Sequence, residues 1–244
     1  MTNLDTPPPR PVATRTVRRA LSWRHATLAD TIAETDTART LIFDIPDWDG
    51  HIAGQHLDVR LTAPDDYQAT RSYSLSSGPS EQPQITVERV TDGEVSPYLV
   101  DMIEPGDAIE IRGPIGGYFV WEPIRGNPLL IGGGSGIAPL RSIWRAETGT
   151  RAIVLYSAQT AERILFGDEL AAGTEVDARI HLTRATHPDY ESGRIGADDL
   201  QRVIESAPPD VTYVCGPTAF VEGIASYLVN LNIDPRTILT ERFG

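Results

Sequence analysis

The chain has 244 residues, 40% of them hydrophobic and 23% charged, which suits an ordinary globular protein long enough for two modest cores. Its net charge of -13 excludes a general nucleic-acid binder, and its single cysteine, Cys215, excludes an internal disulfide, a four-cysteine iron–sulfur cluster and a cysteine-rich zinc site. With that cysteine alone, any redox chemistry here needs an organic cofactor, and since all 21 basic residues are arginine, Schiff-base, kinase-type and Walker A lysine chemistry is ruled out as well.

Residues 1–16 are rich in proline and threonine and read as a disordered tail. They contain no apolar core of a signal peptide, and no run elsewhere is long enough to cross a bilayer. The expectation is a cytoplasmic protein with no membrane or nucleic-acid partner and no metal site. Arg10, Arg15, Arg18, Arg19 and Arg24 form a basic stretch on an otherwise acidic chain, either a solvated arm or a docking surface for an acidic partner.

Strand-length segments follow at 40–43, 56–61, 72–75, 85–90 and 108–111, separated by proline- and glycine-bearing turns, with one short helix expected at 96–102. Their even spacing predicts a closed antiparallel β-barrel. After 113–117 the pattern changes to strands at 129–131, 152–156, 178–182, 211–214 and 237–239, alternating with helices at 139–148, 166–171, 197–205 and 218–231. That alternation predicts an α/β parallel sheet with helices on both faces. The division is a barrel domain at 17–124 and an α/β domain at 125–244, with the boundary near 121–127.

Three stretches carry candidate chemistry. In the barrel, Arg71-Ser72-Tyr73-Ser74 offers an arginine able to pair bidentately with phosphate, a flat aromatic two residues on and a hydroxyl beside it. The plainer reading makes Tyr73 core and Arg71 a surface charge. In the second half, a buried strand runs into Gly132-Gly133-Gly134-Ser135-Gly136 and a helix opened by Pro139, a site for a dinucleotide pyrophosphate or simply a tight turn. Ile137 stands where both the Rossmann fingerprint and the nucleophile elbow require glycine, so neither motif is present. Lastly, Val214-Cys215-Gly216-Pro217 is another strand end, where Cys215 faces the dinucleotide crevice or is a small buried hydrophobe.

Together with Gly93-Glu94-Val95-Ser96 and a terminal Glu241-Arg242-Phe243-Gly244, these motifs occur in an order that resembles the ferredoxin–NADP reductase family from about residue 20 onward. The resemblance implies an FAD-dependent NAD(P)H oxidoreductase. In it Arg71 and Ser72 belong to the flavin site, Arg71 pairing with the pyrophosphate; Tyr73 packs on the flavin ring, and Ser74 bonds near the nitrogen that receives hydride. Val87 and Val90 line the flavin through main-chain contact, and Gly93, Val95 and Ser96 meet the pyrophosphate. Ser135 sits near the flavin edge, while Gly134, Gly136, Pro139, Gly216 and Pro217 shape the nicotinamide nucleotide site. Cys215 and Glu241 flank the nicotinamide, with Ser74, as the catalytic candidates. Phe243, where many relatives have Tyr, covers the flavin face.

Thr183, Arg184 and Arg194 resemble the residues that hold the extra phosphate of NADPH, which favours NADPH over NADH as substrate. The implied partner is a separate electron acceptor, an iron–sulfur or haem protein such as a ferredoxin or oxygenase component. Free-flavin or quinone reduction, and a non-enzymatic flavin-binding electron-transfer subunit, are the alternatives.

Overall fold

The computed structural model describes residues 21–146, 151–174 and 176–243. The proline-rich tail, the arginines from Arg10 to Arg19, Gly244 and the end of the helix expected at 139–148 lie outside these residues.

The first half is one antiparallel sheet of β1 (Arg24–Thr35), β2 (Ala38–Asp44), β3 (His56–Thr62), β4 (Gln68–Ser74), β5 (Gln84–Glu88) and β6 (Ala108–Ile115), in the order β4-β3-β6-β1-β2-β5. It curls until its outer strands touch at one point, where Leu75 bridges Ile85 and Ser76 N donates to Gln84 O at 2.8 Å. Leu28, Leu41, Phe43, Leu57, Val59, Ile85, Val87 and Ile111 fill the interior, and α1 (Ser96–Asp101) adds Leu99 to the same core. Inward residues recur at every second position, as a pleated strand requires.

The sequence pattern does not signal β1. Ala26 and Leu28 are its buried residues, and irregularities between Leu28 and Asp30 and between Ala33 and Thr35 break the alternation. The strand expected at 85–90 stops at Glu88.

The second half is a parallel sheet of β7 (Pro128–Gly133), β8 (Ala152–Ala158), β9 (Val176–Leu182), β10 (Glu191–Ser192), β11 (Val211–Pro217) and β12 (Ile238–Phe243), ordered β10-β9-β8-β7-β11-β12. All six residues of β7 are buried, because helices cover both faces. α2 (Ile137–Trp144) and α3 (Gly167–Ala172) pack on one face, and α4 (Ala197–Ser206) and α5 (Thr218–Asn230) on the other.

The strand order reverses direction at β7, which lies between β8 and β11, so a crevice opens beyond the carboxyl ends of β7 and β11. The glycine turn sits there. α2 begins at Ile137, directly after a 3-10 turn at Gly134–Gly136, so Pro139 lies inside its first turn rather than opening it. None of the described helices is long and apolar enough to cross a membrane.

Candidate functional site

Because β4 and β5 are joined only near Leu75 and Ile85, they diverge beyond that bridge and leave a seam in the barrel wall. The seam is a groove of about 520 Å³. Arg71, Ser72, Tyr73 and Ser74 line one bank, Thr86, Glu88 and Val90 the other, and Gly93, Glu94, Val95 and Ser96 close one end. Ser135, Ala138, Arg242 and Phe243 reach it from the second half of the molecule.

The Arg71 guanidinium is exposed and pairs with Glu94 at 2.7 Å, and Glu94 also accepts from Tyr67 Oη at 2.7 Å. Those two donors hold the Glu94 carboxyl below its ordinary range. Burial pushes the half-buried Tyr73 phenol up to about 12, with Arg71 opposing the shift. Ser72 is already engaged, donating to Asp58 Oδ1 at 2.6 Å, and Asp58 in turn pairs with Arg112 at 2.6 Å. Ser96 Oγ accepts from Val90 N at 3.0 Å and fixes the turn that carries Gly93. A Cβ on Gly93 would stand 3.0 Å from both Val90 O and Ser96 Oγ, so a larger residue there would press on this cradle.

A second groove, of about 400 Å³, lies beyond the carboxyl ends of β7, β8 and β9. Gly133, Gly134, Ser157, Gln159, Thr183, Arg194 and Pro217 line it on the strand side, and Phe220, Ile224 and Tyr227 of α5 with Ile195 make an apolar wall. No carboxylate is among its lining residues. The loop after β9 is tied back to the loop after β8 by Thr183 N and Arg184 N, which donate to Ala158 O and Gln159 O, both at 2.9 Å.

Deep between the grooves, Cys215 on β11 is paired in register with Glu241 on β12 and Gly132 on β7. The thiol is fully buried in the core cluster, and burial with the nearby Glu241 charge raises its pKa well above the ordinary value. Glu241 Oε2 is buried with no hydrogen-bond partner among the described residues, and burial pushes the carboxyl up to about 7. Raised above its unfolded value of 4.5, this acid favours the folded state when protonated and costs stability as pH climbs from about 4.5 through about 7. Glu241→Gln is therefore expected to gain about 3 kcal/mol on the unmodified protein between pH 5 and pH 8. Paired thermal melts across that range check the slope; a pH-independent difference would show the carboxyl to be solvated.

Of the residues singled out from the sequence, the seam groove gathers Arg71, Ser72, Tyr73, Ser74, Val90, Gly93, Val95, Ser96, Ser135 and Phe243. The crevice gathers Gly134, Thr183, Arg194 and Pro217. Val87 is not among the lining residues of either groove: its side chain is fully buried in the barrel core between Thr86 and Glu88, which line the seam, and this leaves its main chain for the contact expected of it. Arg184 is exposed outside the crevice lining, Pro139 is buried in α2, and Gly136 and Gly216 pack backbone against backbone beneath the turn.

Cys215 presents its carbonyl, not its thiol, to Gly136. Sequence reasoning passed over Thr86, Glu88, Glu94 and Arg242 in the seam and the α5 wall of the crevice. The alternation of a strand through Val87 signals the first two, since neighbours of an inward residue face outward.

Two families match this geometry. Residues 25–120 match the oxidoreductase FAD-binding domain and residues 130–226 the oxidoreductase NAD-binding domain. The chain is 29% identical over 233 residues to the ferredoxin reductase component of 3-ketosteroid-9-alpha-monooxygenase from Mycobacterium tuberculosis, covering 88% of this chain and 64% of that protein. It is 28% identical over 210 residues to the ferredoxin–NAD(P)(+) reductase component of the naphthalene 1,2-dioxygenase system from Pseudomonas putida, covering 78% of this chain and 64% of that protein. The chain thus spans 64% of the length of both relatives. The fold is shared with the FAD/NAD-binding domain of nitric oxide dioxygenase from Vibrio cholerae, with a TM-score of 0.80 and 24% identity over 91% of this chain and 98% of that one.

Proposed function

Since the chain belongs to the ferredoxin–NADP reductase family, we propose that it is an FAD-dependent reductase that takes hydride from NAD(P)H and passes electrons to a separate protein acceptor. The observation that carries this reading is the glycine turn, whose adjacent residues Gly134 and Ser135 line different grooves. Ligands in the two grooves therefore meet across one peptide, as a donor and acceptor needing about 3 to 3.5 Å separation must. We take 17–124 as the flavin-binding domain and 125–244 as the nucleotide-binding domain.

FAD fits the residues of the seam. Arg71 offers an exposed fork for a pyrophosphate, the Gly93 cradle lets an anion approach the backbone, and Tyr73 presents an aromatic body whose buried phenol stays neutral. Bound there, FAD supplies the chemistry that turns a hydride into transferable electrons. The chain's own residues orient and enclose. Ser74 is buried beside Tyr73 at the end of β4 and lines the same groove as Ser135 of the glycine turn, and its hydroxyl would bond the flavin near the atom that receives hydride. Phe243, at the end of β12, lines the groove, where it would cover the flavin face and have to give way for nicotinamide to reach it.

In the crevice, Thr183 and Arg194 with no facing carboxylate favour NADPH over NADH, because an acidic residue is what selects an unphosphorylated ribose. Reduced nicotinamide as donor implies a cytoplasmic setting. The acceptor is an iron–sulfur or haem protein, the role that fits the named reductase components among its relatives.

Anaerobic addition of NADPH or NADH to the FAD-loaded protein tests the donor half: the yellow flavin absorbance is expected to bleach, faster with NADPH. A flavin that stays oxidised with both coenzymes rejects the reading. Ser74→Ala is expected to slow this bleaching about tenfold while FAD affinity stays within about threefold. Unchanged stopped-flow rates would remove Ser74 from the hydride site.

A further inference from the structure

The two grooves meet at the glycine turn, and a dense polar contact joins the two halves of the molecule close to it in the chain. Leaving the turn, α2 lies along residues 76–84 of the barrel. Arg141, 9% exposed, donates through Nη1 to Ser76 O and to Gln84 Oε1, each at 3.0 Å, and through Nε to Glu169 Oε2 of α3 at 2.7 Å. Its guanidinium also stands 4.7 Å over the Phe166 ring.

The next residue repeats the connection. Ser142 Oγ donates to Ser77 O at 2.6 Å, and the same carbonyl accepts from His51 Nε2 at 3.0 Å. One turn later Arg145 joins Glu81 of the barrel to Glu169, and Trp144 Nε1 donates to Glu169 Oε1 at 2.6 Å. Burial would push Glu169 up, but Arg141, Trp144 and Arg145 hold it below the usual carboxylate range, so the network stays charged. Gly78 is the close-approach point: a Cβ there would come within 2.8 Å of Arg145 O.

Apolar surfaces can slide over one another with small loss, whereas a buried guanidinium cannot leave its acceptors without stranding a charge in low dielectric. Arg141 is also close along the chain to both reacting edges. Ser76 lies two residues beyond Ser74, and Arg141 lies five residues beyond Gly136. A displacement at this fork therefore passes through short, rigid segments to the flavin strand on one side and the glycine turn on the other.

We propose that Arg141 is a positioning residue: its fork on Ser76 and Gln84 fixes the spacing between the flavin-side strand and the glycine turn, and with it the hydride donor–acceptor distance. This rests on the reductase reading, because only a reaction between the two grooves makes that spacing matter. A misplacement of about 1 Å at such a distance costs about a hundredfold in rate.

The test compares the FAD-loaded unmodified protein with Arg141→Met and, as a milder lesion that leaves the buried charge and the Ser76 bond, Gln84→Leu. At saturating NADPH the flavin reduction rate is expected to fall about a hundredfold in the first and about tenfold in the second. FAD affinity and reoxidation of chemically reduced flavin by ferricyanide, which need only the barrel, are expected within about threefold of the unmodified protein. A purely structural role would instead lower all of them with the amount of folded protein. Calorimetry gives a readout independent of turnover: one cooperative transition is expected for the unmodified protein and two for Arg141→Met, as the halves uncouple. A reduction rate within threefold of the unmodified protein in both variants, or a single unshifted transition in Arg141→Met, overturns the proposal. If the unmodified protein itself is not reduced by NADPH or NADH, the reductase reading fails, and the calorimetric arm still decides whether Arg141 locks the halves.

Discussion

Arg71→Ala is expected to raise the dissociation constant for FAD about a hundredfold while leaving the thermal stability of the cofactor-free protein unchanged. The side chain is half exposed, so its removal leaves no hole, and its pair with Glu94 lies on the surface, where solvent screening leaves it little weight. Against phosphate the same fork makes two charge-assisted bonds, each worth about 1.5 to 3 kcal/mol, and losing them removes about 3 kcal/mol net of the Glu94 pair that must be given up on binding. Each 1.4 kcal/mol is about tenfold in affinity, hence the expected factor. Titration of the cofactor-free protein with FAD measures it directly. Glu94→Gln is the opposing control: it releases Arg71 and removes a carboxylate from beside the phosphates, so affinity should hold or tighten. A change under threefold in Arg71→Ala would show that the pyrophosphate is held elsewhere.

Gly136→Ala is expected to cost about 3 kcal/mol of stability and to slow reduction by the nicotinamide coenzyme at least about a hundredfold. The backbone of Gly136, with φ of -60°, suits any residue, so the cost is steric alone. A Cβ there would stand 2.3 Å from Cys215 O, 2.5 Å from its carbonyl carbon and 2.7 Å from Gly216 N. These are backbone atoms of an inner strand and cannot swing aside, so the turn itself must lift away from β11 and carry Gly134 and Ser135 with it. The barrel bank of the seam does not move, and FAD affinity is expected to persist. Gly117→Ala is the control, because nothing lies within 4 Å of the added carbon. Melts and stopped-flow reduction of the two variants separate the outcomes; equal behaviour would show that β11 yields.

Most of the fold is legible in the residues because its signals are local. The apolar run of β7 with its following glycines, and the alternation of strand and helix from 128 onward, mark a buried parallel sheet without any distant contact. β1 is illegible for the opposite reason: its sequence RHATLADTIAET gains its strand character from pairing with β2 and β6 rather than from an apolar face. The site divides the same way. Arg71, Tyr73, Ser74 and Ser135 sit within motifs, so their order alone brings them forward. Glu88 and the α5 wall of Phe220, Ile224 and Tyr227 line the grooves through tertiary packing of residues that look, in sequence, like a surface charge and an ordinary apolar helix stripe. Cys215 shows the limit of a motif, since a strand-end cysteine is visible in sequence whereas the burial of its thiol depends on both neighbouring strands.

The seam between β4 and β5 has a consequence for how this protein behaves without its cofactor. Past the bridge at Leu75 and Ile85 each is an edge strand with a strand partner on one side only, the kind of edge that recruits a strand from another molecule. FAD bound in the seam groove, as proposed, would stand between those edges and deny them a partner. On that reading cofactor supply would also protect against aggregation, and the population at risk in a cell or a purification would be the fraction that has lost its flavin, however well its core is folded.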